Sequence, residues 1–161
     1  MDTDKKVIHG YKAFACDGTN IALEIMPPGT YHFDGTIKYG KSGYHFAEKL
    51  EDTIRYSGTN TPLIAEVIAT GIIDEGFDEY NGYYEVYTAS DIKIIRYLTR
   101  EEIIEYALKL NDDRMQRFVT GFELSNDELD LFVQKNKRLE NTIQAYEIRQ
   151  KIKKKELKKY K

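Results

Sequence analysis

Hydrophobic and polar positions alternate along the first half of the chain and recur every three or four residues along the second. VIHGYKAF (7–14) alternates as a half-buried strand does, and IALEI (21–25) predicts another. PPG (27–29) is a turn signal, because Pro presets φ and Gly supplies freedom. Tyr31–Phe33 and Ile37–Tyr39 flank Asp34-Gly35, a hairpin dipeptide, which predicts that these two stretches pair with each other. SGYHF (42–46) predicts a short strand, and AEKLEDTIRY (47–56) switches to helical spacing with Phe46, Leu50 and Ile54 on one side. SGTNTP (57–62) is a loop, and the apolar run LIAEVIATGII (63–73) predicts a central, mostly buried strand. DEGFDEYNG (74–82) is expected as a polar loop before two closing strands, YYEVYT (83–88) and IKIIRYL (92–98).

The second half predicts helices. Thr99-Arg-Glu-Glu102 forms a capping box, hydroxyl and carboxylate each satisfying an orphan amide, and opens a helix over 100–110. A second helix is expected over 112–122, with Met115, Phe118, Val119 and Phe122 apolar. Ser125-Asn-Asp-Glu128 is a second capping box, expected to open a long helix reaching about residue 158. Along it Leu129, Phe132, Leu139, Ile143 and Tyr146 keep a 3-4 spacing, interrupted by Asn136. Such a short seam suits packing on the domain and homodimerisation equally. The expected architecture is α+β. A mostly antiparallel sheet with one short helix occupies residues 1–98, and a helical C-terminal region with a basic tail occupies residues 99–161.

Charge adds an asymmetry. Residues 1–98 hold 15 acidic and 9 basic groups, whereas residues 99–161 hold 12 and 15, so an acidic front precedes a basic back. Residues 72–91 contain six acidic groups, four tyrosines and no Lys or Arg. Asp74, Glu75, Asp78, Glu79 and Glu85, interleaved with Tyr80, Tyr83 and Tyr84, are therefore the candidate partner-binding surface, suited to a basic partner. The last fifteen residues hold eight basic groups, fit for phosphates or an acidic partner, or for a solvated helix end. No apolar run approaches a membrane span, and the MDTDKK start lacks a signal-peptide core, so a cytoplasmic location is expected. The single Cys16 has no partner for an internal disulfide and reads as a small buried or half-buried thiol.

Tyr-His-Phe occurs twice, at 31–33 and 44–46, and takes two of the three histidines. Were the Asp34-Gly35 hairpin to form and the 42–46 strand to follow it, His32 and His45 could share a sheet face. A zinc site needs three or four protein ligands, and His9 is the only other imidazole, so no metal is expected. No phosphate-cradling loop is present, because GTNIA and SGTNT lack the lysine and the spacing, and no Ser-His-Asp or Cys-His order is readable.

GYKAF (10–14), KSGYHF (41–46), EVIATG (66–71) and IKIIR (92–96) in this order resemble a small domain of phages, prophages and other bacterial mobile elements. The resemblance covers roughly residues 8–98, with Gly40 where that domain has a cysteine, and it carries no activity to transfer. It implies a non-catalytic interaction protein that binds and inhibits a host macromolecule, with a CRISPR-type defence effector as the concrete version. The partner is then a host protein or protein–nucleic-acid complex, and no cofactor is implied. A more distant similarity runs to ADP-ribosyltransferase-like folds of the rifamycin-modifying type, through His9-Gly10, Tyr44-His45-Phe46 and LIAEVIATGIIDE. That similarity implies NAD as cofactor. His9 would hold the ribose, Tyr44 would stack on nicotinamide, and Asp74, Glu75 or Glu85 would stabilise the oxocarbenium-like ribose.

Overall fold

The computed structural model describes residues 6–14, 26–39, 41–54, 62–77, 85–141 and 155. The chain divides into two compact units, residues 1–99 and 100–161. The architecture is α+β.

The described residues of the first unit form a five-stranded sheet with one short helix: β1 (Ile8–Phe14), β2 (Gly29–His32), β3 (Tyr44–Ala47), α1 (Leu50–Thr53), β4 (Leu63–Phe77) and β5 (Glu85–Tyr97). Every pairing between these strands is antiparallel. β1 pairs with β3 and β4, β4 with β5, and β5 with β3, so the hydrogen bonding closes on itself. β4 pairs with β1 and β5, and β5 pairs with β4 along one edge and with β2 and β3 along the other. β4 shifts register between Thr70 and Ile73, where Gly71 adopts φ 76°, a bulge that strengthens the local twist.

Alternation of the β1 side chains buries Ile8, Gly10, Lys12 and Phe14 and leaves His9 exposed. Phe14, Phe46, Ala65, Val67, Ala69, Tyr87, Ala89, Ile92 and Ile94 complete one apolar core with Ile8. Ala65, Ala69 and Ala89 are fully buried in it, and Phe46 stacks on Tyr87 at 5.4 Å between centroids.

Several sequence expectations change. β2 does not pair with 37–39 across Asp34-Gly35. It lies along β5, with Tyr31 opposite Ile92 and His32 opposite Asp91. The buried row of Ile92 and Ile94 outcompetes a local turn, because the strand gains a packed neighbour as well as a ladder. β3 continues along the same strand, with Tyr44 opposite Ala89 and His45 opposite Thr88. Phe33 N–H donates to the Ser90 carbonyl between the two stretches at 2.8 Å. Since β4 takes the other edge of β5 in both stretches, the two Tyr-His-Phe triplets form one split strand along a single edge.

Asp74–Phe77, expected as loop, continues β4 against Glu85–Thr88. The two expected closing strands are one strand, β5, because the polar residues between them find partners inside the sheet. Ser90 is buried, and its hydroxyl accepts from the Ile72 amide at 2.9 Å and donates to Asp91 at 2.7 Å. The described part of the helix expected over 47–56 is four residues and one further turn residue, since Ala47 is spent on β3. The strand expected at 21–25, the loop 57–61 and Cys16 lie outside the described residues.

The second unit contains α2 (Arg100–Leu108), α3 (Asp112–Gly121) and α4 (Asn126–Lys135). Among the described residues its buried hydrophobics are Ile103, Ile104, Ala107, Met115, Phe118, Val119, Phe122, Leu129, Phe132 and Leu139, with Phe118 in ring contact with Phe122 and Phe132. The Ser125 capping box is present in full. The helix it opens is shorter than expected, because Asn136 is extended at φ −144°, ψ 99°. Its amide closes the helix on the Phe132 carbonyl, and its side chain accepts from Arg138 N and starts a new turn. That turn still buries Leu139. The three described seam positions, Leu129, Phe132 and Leu139, are thus core of their own unit, while Ile143 and Tyr146 lie outside the described residues.

Glu128 serves two structures at once. It completes the cap of α4 and takes a two-pronged ion pair from Arg100, at 2.9 Å (Nε) and 2.8 Å (Nη2). The guanidinium also donates to the Glu123 carbonyl at 2.6 Å. The Arg100 hydrogen bond lowers the Glu128 carboxyl to about 2, helped by Ser125. Glu128→Ala is expected to destabilise this unit by about 2 kcal/mol, a cap plus a bidentate pair. Since the folded carboxyl lies below its ordinary 4.5, its contribution is complete above that value and fades as pH falls toward 2. Acid titration followed by helical circular dichroism should show the wild-type losing stability across that window and the variant much less.

Candidate functional site

The most organised polar cluster of the first unit is built on the split strand. His32 sits directly across from Asp91, and Nδ1 lies 2.7 Å from Asp91 Oδ1. Nε2 lies 3.0 Å from Asp34 Oδ1, two residues further along its own chain. The second oxygen of Asp91 accepts from the Ser90 hydroxyl at 2.7 Å, and that hydroxyl in turn accepts from Ile72 N–H. A side chain on Gly71 would run into Asp91 Oδ2 and Ser90 Oγ, so only glycine lets the bulge of β4 press against this carboxylate. The network therefore ties together β2, β5 and the β4 bulge. Asp91, by hydrogen bond and charge, raises the His32 pKa above the usual 6.5, with Asp34 adding to it. The Ser90 hydroxyl first, and His32 second, lower that of Asp91. Tyr44 stands beside this cluster: burial first and the Asp91 charge second raise its pKa, and its ring meets Phe33 edge-on at 6.3 Å.

A second polar group lies inside the sheet. Lys12 points inward from β1, is 8% exposed, and donates to the His45 carbonyl at 2.8 Å. Its ammonium also lies 5.3 Å from the Phe14 ring centre. β1 and β3 share a single register pair, Tyr11 with Ala47, and the lysine amine takes the place of a further backbone donor beyond it. Burial lowers the Lys12 pKa to about 8. Burial and the charge of Lys12 also lower that of His45, whose ring lies 6.2 Å from Tyr39.

The residues singled out from sequence separate into groups. His9 is exposed on β1 opposite Ile68, whereas Tyr44 lies on β3 opposite Ala89. Among the described residues no contact brings His9 to Tyr44, Asp74 or Glu75. Asp74 accepts from the Tyr39 amide at 2.9 Å, and Glu75 pairs with Lys6 at the surface. Glu85 opposes Phe77, so β4 and β5 stay paired up to the segment that joins them. Asp78, Glu79, Tyr80, Tyr83 and Tyr84 belong to that joining segment, outside the described residues. His32 and His45 oppose Asp91 and Thr88 and make no contact with each other. Among the described residues, no three His, Cys, Asp or Glu side chains are placed to hold a metal ion, and no helix is long and apolar enough to cross a membrane.

Sequence reasoning passed over Asp34, Ser90, Asp91 and Lys12. One signal was available: His32 and Asp34 are two apart in an extended stretch, a spacing that turns side chains to the same side. Asp91 carried none, because its partner is 59 residues away. No family model, curated protein or solved structure matches this chain.

Proposed function

We propose that this chain is a non-catalytic interaction protein that engages a basic macromolecular surface through the acidic, tyrosine-rich end of its β4–β5 hairpin. One observation carries the reading. The two longest strands stay paired to Phe77 and Glu85, so DEYNGYY (78–84) joins the ends of a single hairpin already flanked by Asp74 and Glu75. Carboxylates gathered there attract a cationic partner over about a Debye length and repel polyanions. The resemblance to phage-borne domains makes a host protein or protein–nucleic-acid complex the kind of partner meant, with a bacterial defence effector as the concrete version.

The test keeps Asp74, whose carboxylate holds the Tyr39 amide, and combines Glu75→Gln with Asp78→Lys and Glu79→Lys. Purified protein is incubated with bacterial lysate at about 0.05 M and about 0.3 M salt. The expected result is one stoichiometric partner, weakened by salt and captured at least about tenfold less by the triple variant, with unchanged circular dichroism. Equal capture by the two proteins would remove the acidic hairpin from the account.

A further inference from the structure

We propose that His32, Asp34 and Asp91 form a proton-operated clamp: an imidazolium at His32 holds the segment after β2 against β5, and deprotonation lets Asp34 go while Asp91 keeps the ring. This goes beyond the binding reading and does not depend on it.

The chemistry follows from donor counting. Both ring nitrogens face a carboxylate oxygen, at 2.7 and 3.0 Å. Only the imidazolium has two N–H donors, and a neutral ring has one, so it must turn a lone pair toward one carboxylate. Which carboxylate is released is set by how firmly each is held. Asp91 is 31% exposed, fixed by the Ser90 hydroxyl and backed by the Gly71 bulge, whereas Asp34 is 98% exposed on the turn after β2. The neutral ring therefore keeps Nδ1–H on Asp91 and presents the Nε2 lone pair to solvent. Among the described residues, the cluster is faced by Asp91 and Ser90 from β5, Asp34 from the turn, and Tyr44 from β3, a phenol that stays neutral while the imidazole titrates. The ring itself is 58% exposed, so solvent protons reach it directly.

The sign is fixed by the raised affinity of His32 for its proton. The clamp is closed below 6.5, the ordinary imidazole value, and opens as pH rises through the higher value of the folded protein. Opening releases the Asp34 side chain, loosens the Phe33 amide on the Ser90 carbonyl and leaves the β2–β5 ladder in place.

Nitrogen-detected NMR of the full chain, titrated from pH 5 to pH 9, reads both halves of the claim. His32 is expected to titrate above 6.5 and to carry its proton on Nδ1 when neutral. The protection factor of the Phe33 amide, which donates to the Ser90 carbonyl at 2.8 Å, is expected to fall about tenfold through the same midpoint, the worth of one hydrogen bond to a charged group. Asp34→Asn should leave the Nδ1 tautomer and abolish the pH-dependent step in protection. Asp91→Asn should lower the His32 midpoint and scramble the tautomer, and His32→Gln should leave a folded protein whose turn no longer responds to pH. A midpoint at or below 6.5, an Nε2 tautomer, or protection that ignores the midpoint would each overturn the clamp.

Discussion

Gly10→Ala is expected to cost the N-terminal unit about 3 kcal/mol or more. The reason is a crossing of backbones. The chain leaving β3 for α1 passes over β1 at Gly10, and a methyl there would overlap the Ala47 carbonyl oxygen. It would also lie 3.0 Å from the Ala47 carbonyl carbon and 3.2 Å from Glu48 Cα. None of these atoms belongs to a flexible side chain. Relief requires moving the β3–α1 junction, which carries Ala47 and Leu50, both fully buried. The change also reaches the one register pair that joins β1 to β3, Tyr11 with Ala47. Urea unfolding followed by far-ultraviolet circular dichroism checks it, and a loss under about 0.5 kcal/mol would show that the crossing has slack.

Lys12→Met is expected to do the opposite and stabilise the same unit by about 2 kcal/mol at pH 7. The unfolded chain binds the lysine proton with the ordinary value of 10.5, and the folded chain with a value of about 8. That gap corresponds to about 3 kcal/mol of destabilisation while the amine is charged. Methionine removes it and fills similar space. About 1 kcal/mol is returned, because the His45 carbonyl loses its donor. Between pH 8 and 10.5 the unfolded state carries more protons, so wild-type stability should rise with pH across that window and the variant should not follow it. Unfolding curves at pH 7, 8, 9 and 10 for both proteins decide the matter. A wild-type curve that stays flat would mean that the amine is solvated in the folded state.

Period and punctuation made some elements legible. The alternation of 7–14 marks β1 and the apolar run of 63–73 marks most of β4. Ser125 with Glu128 marks the start of α4, since those signals are local. What stayed hidden was decided at a distance. Asp74–Phe77 reads as loop until Glu85–Thr88 lies beside it. Asp34-Gly35 reads as a hairpin until Ile92 and Ile94 offer Tyr31 a better neighbour. The interruption at Asn136 was visible in the seam, but its amide and side chain decide that the helix stops there. The histidine cluster follows the same rule. His32 and Asp34 can be paired from their spacing, whereas Asp91 and Ser90 join them only through the fold of β5.

The split strand has a consequence for how the unit comes together. β5 is the last strand to be synthesised, yet β2, β3 and β4 all pair with it, and β2 has no other described partner. A ribosome that has released the chain only to residue 84 leaves the Gly29–His32 stretch with no ladder to join. Contacts such as His32 with Asp91 span 59 residues, and sheets closed by such late, non-local pairs pass slowly over their barrier. The N-terminal unit should therefore acquire protease resistance in one late step, after β5 has emerged, and not strand by strand.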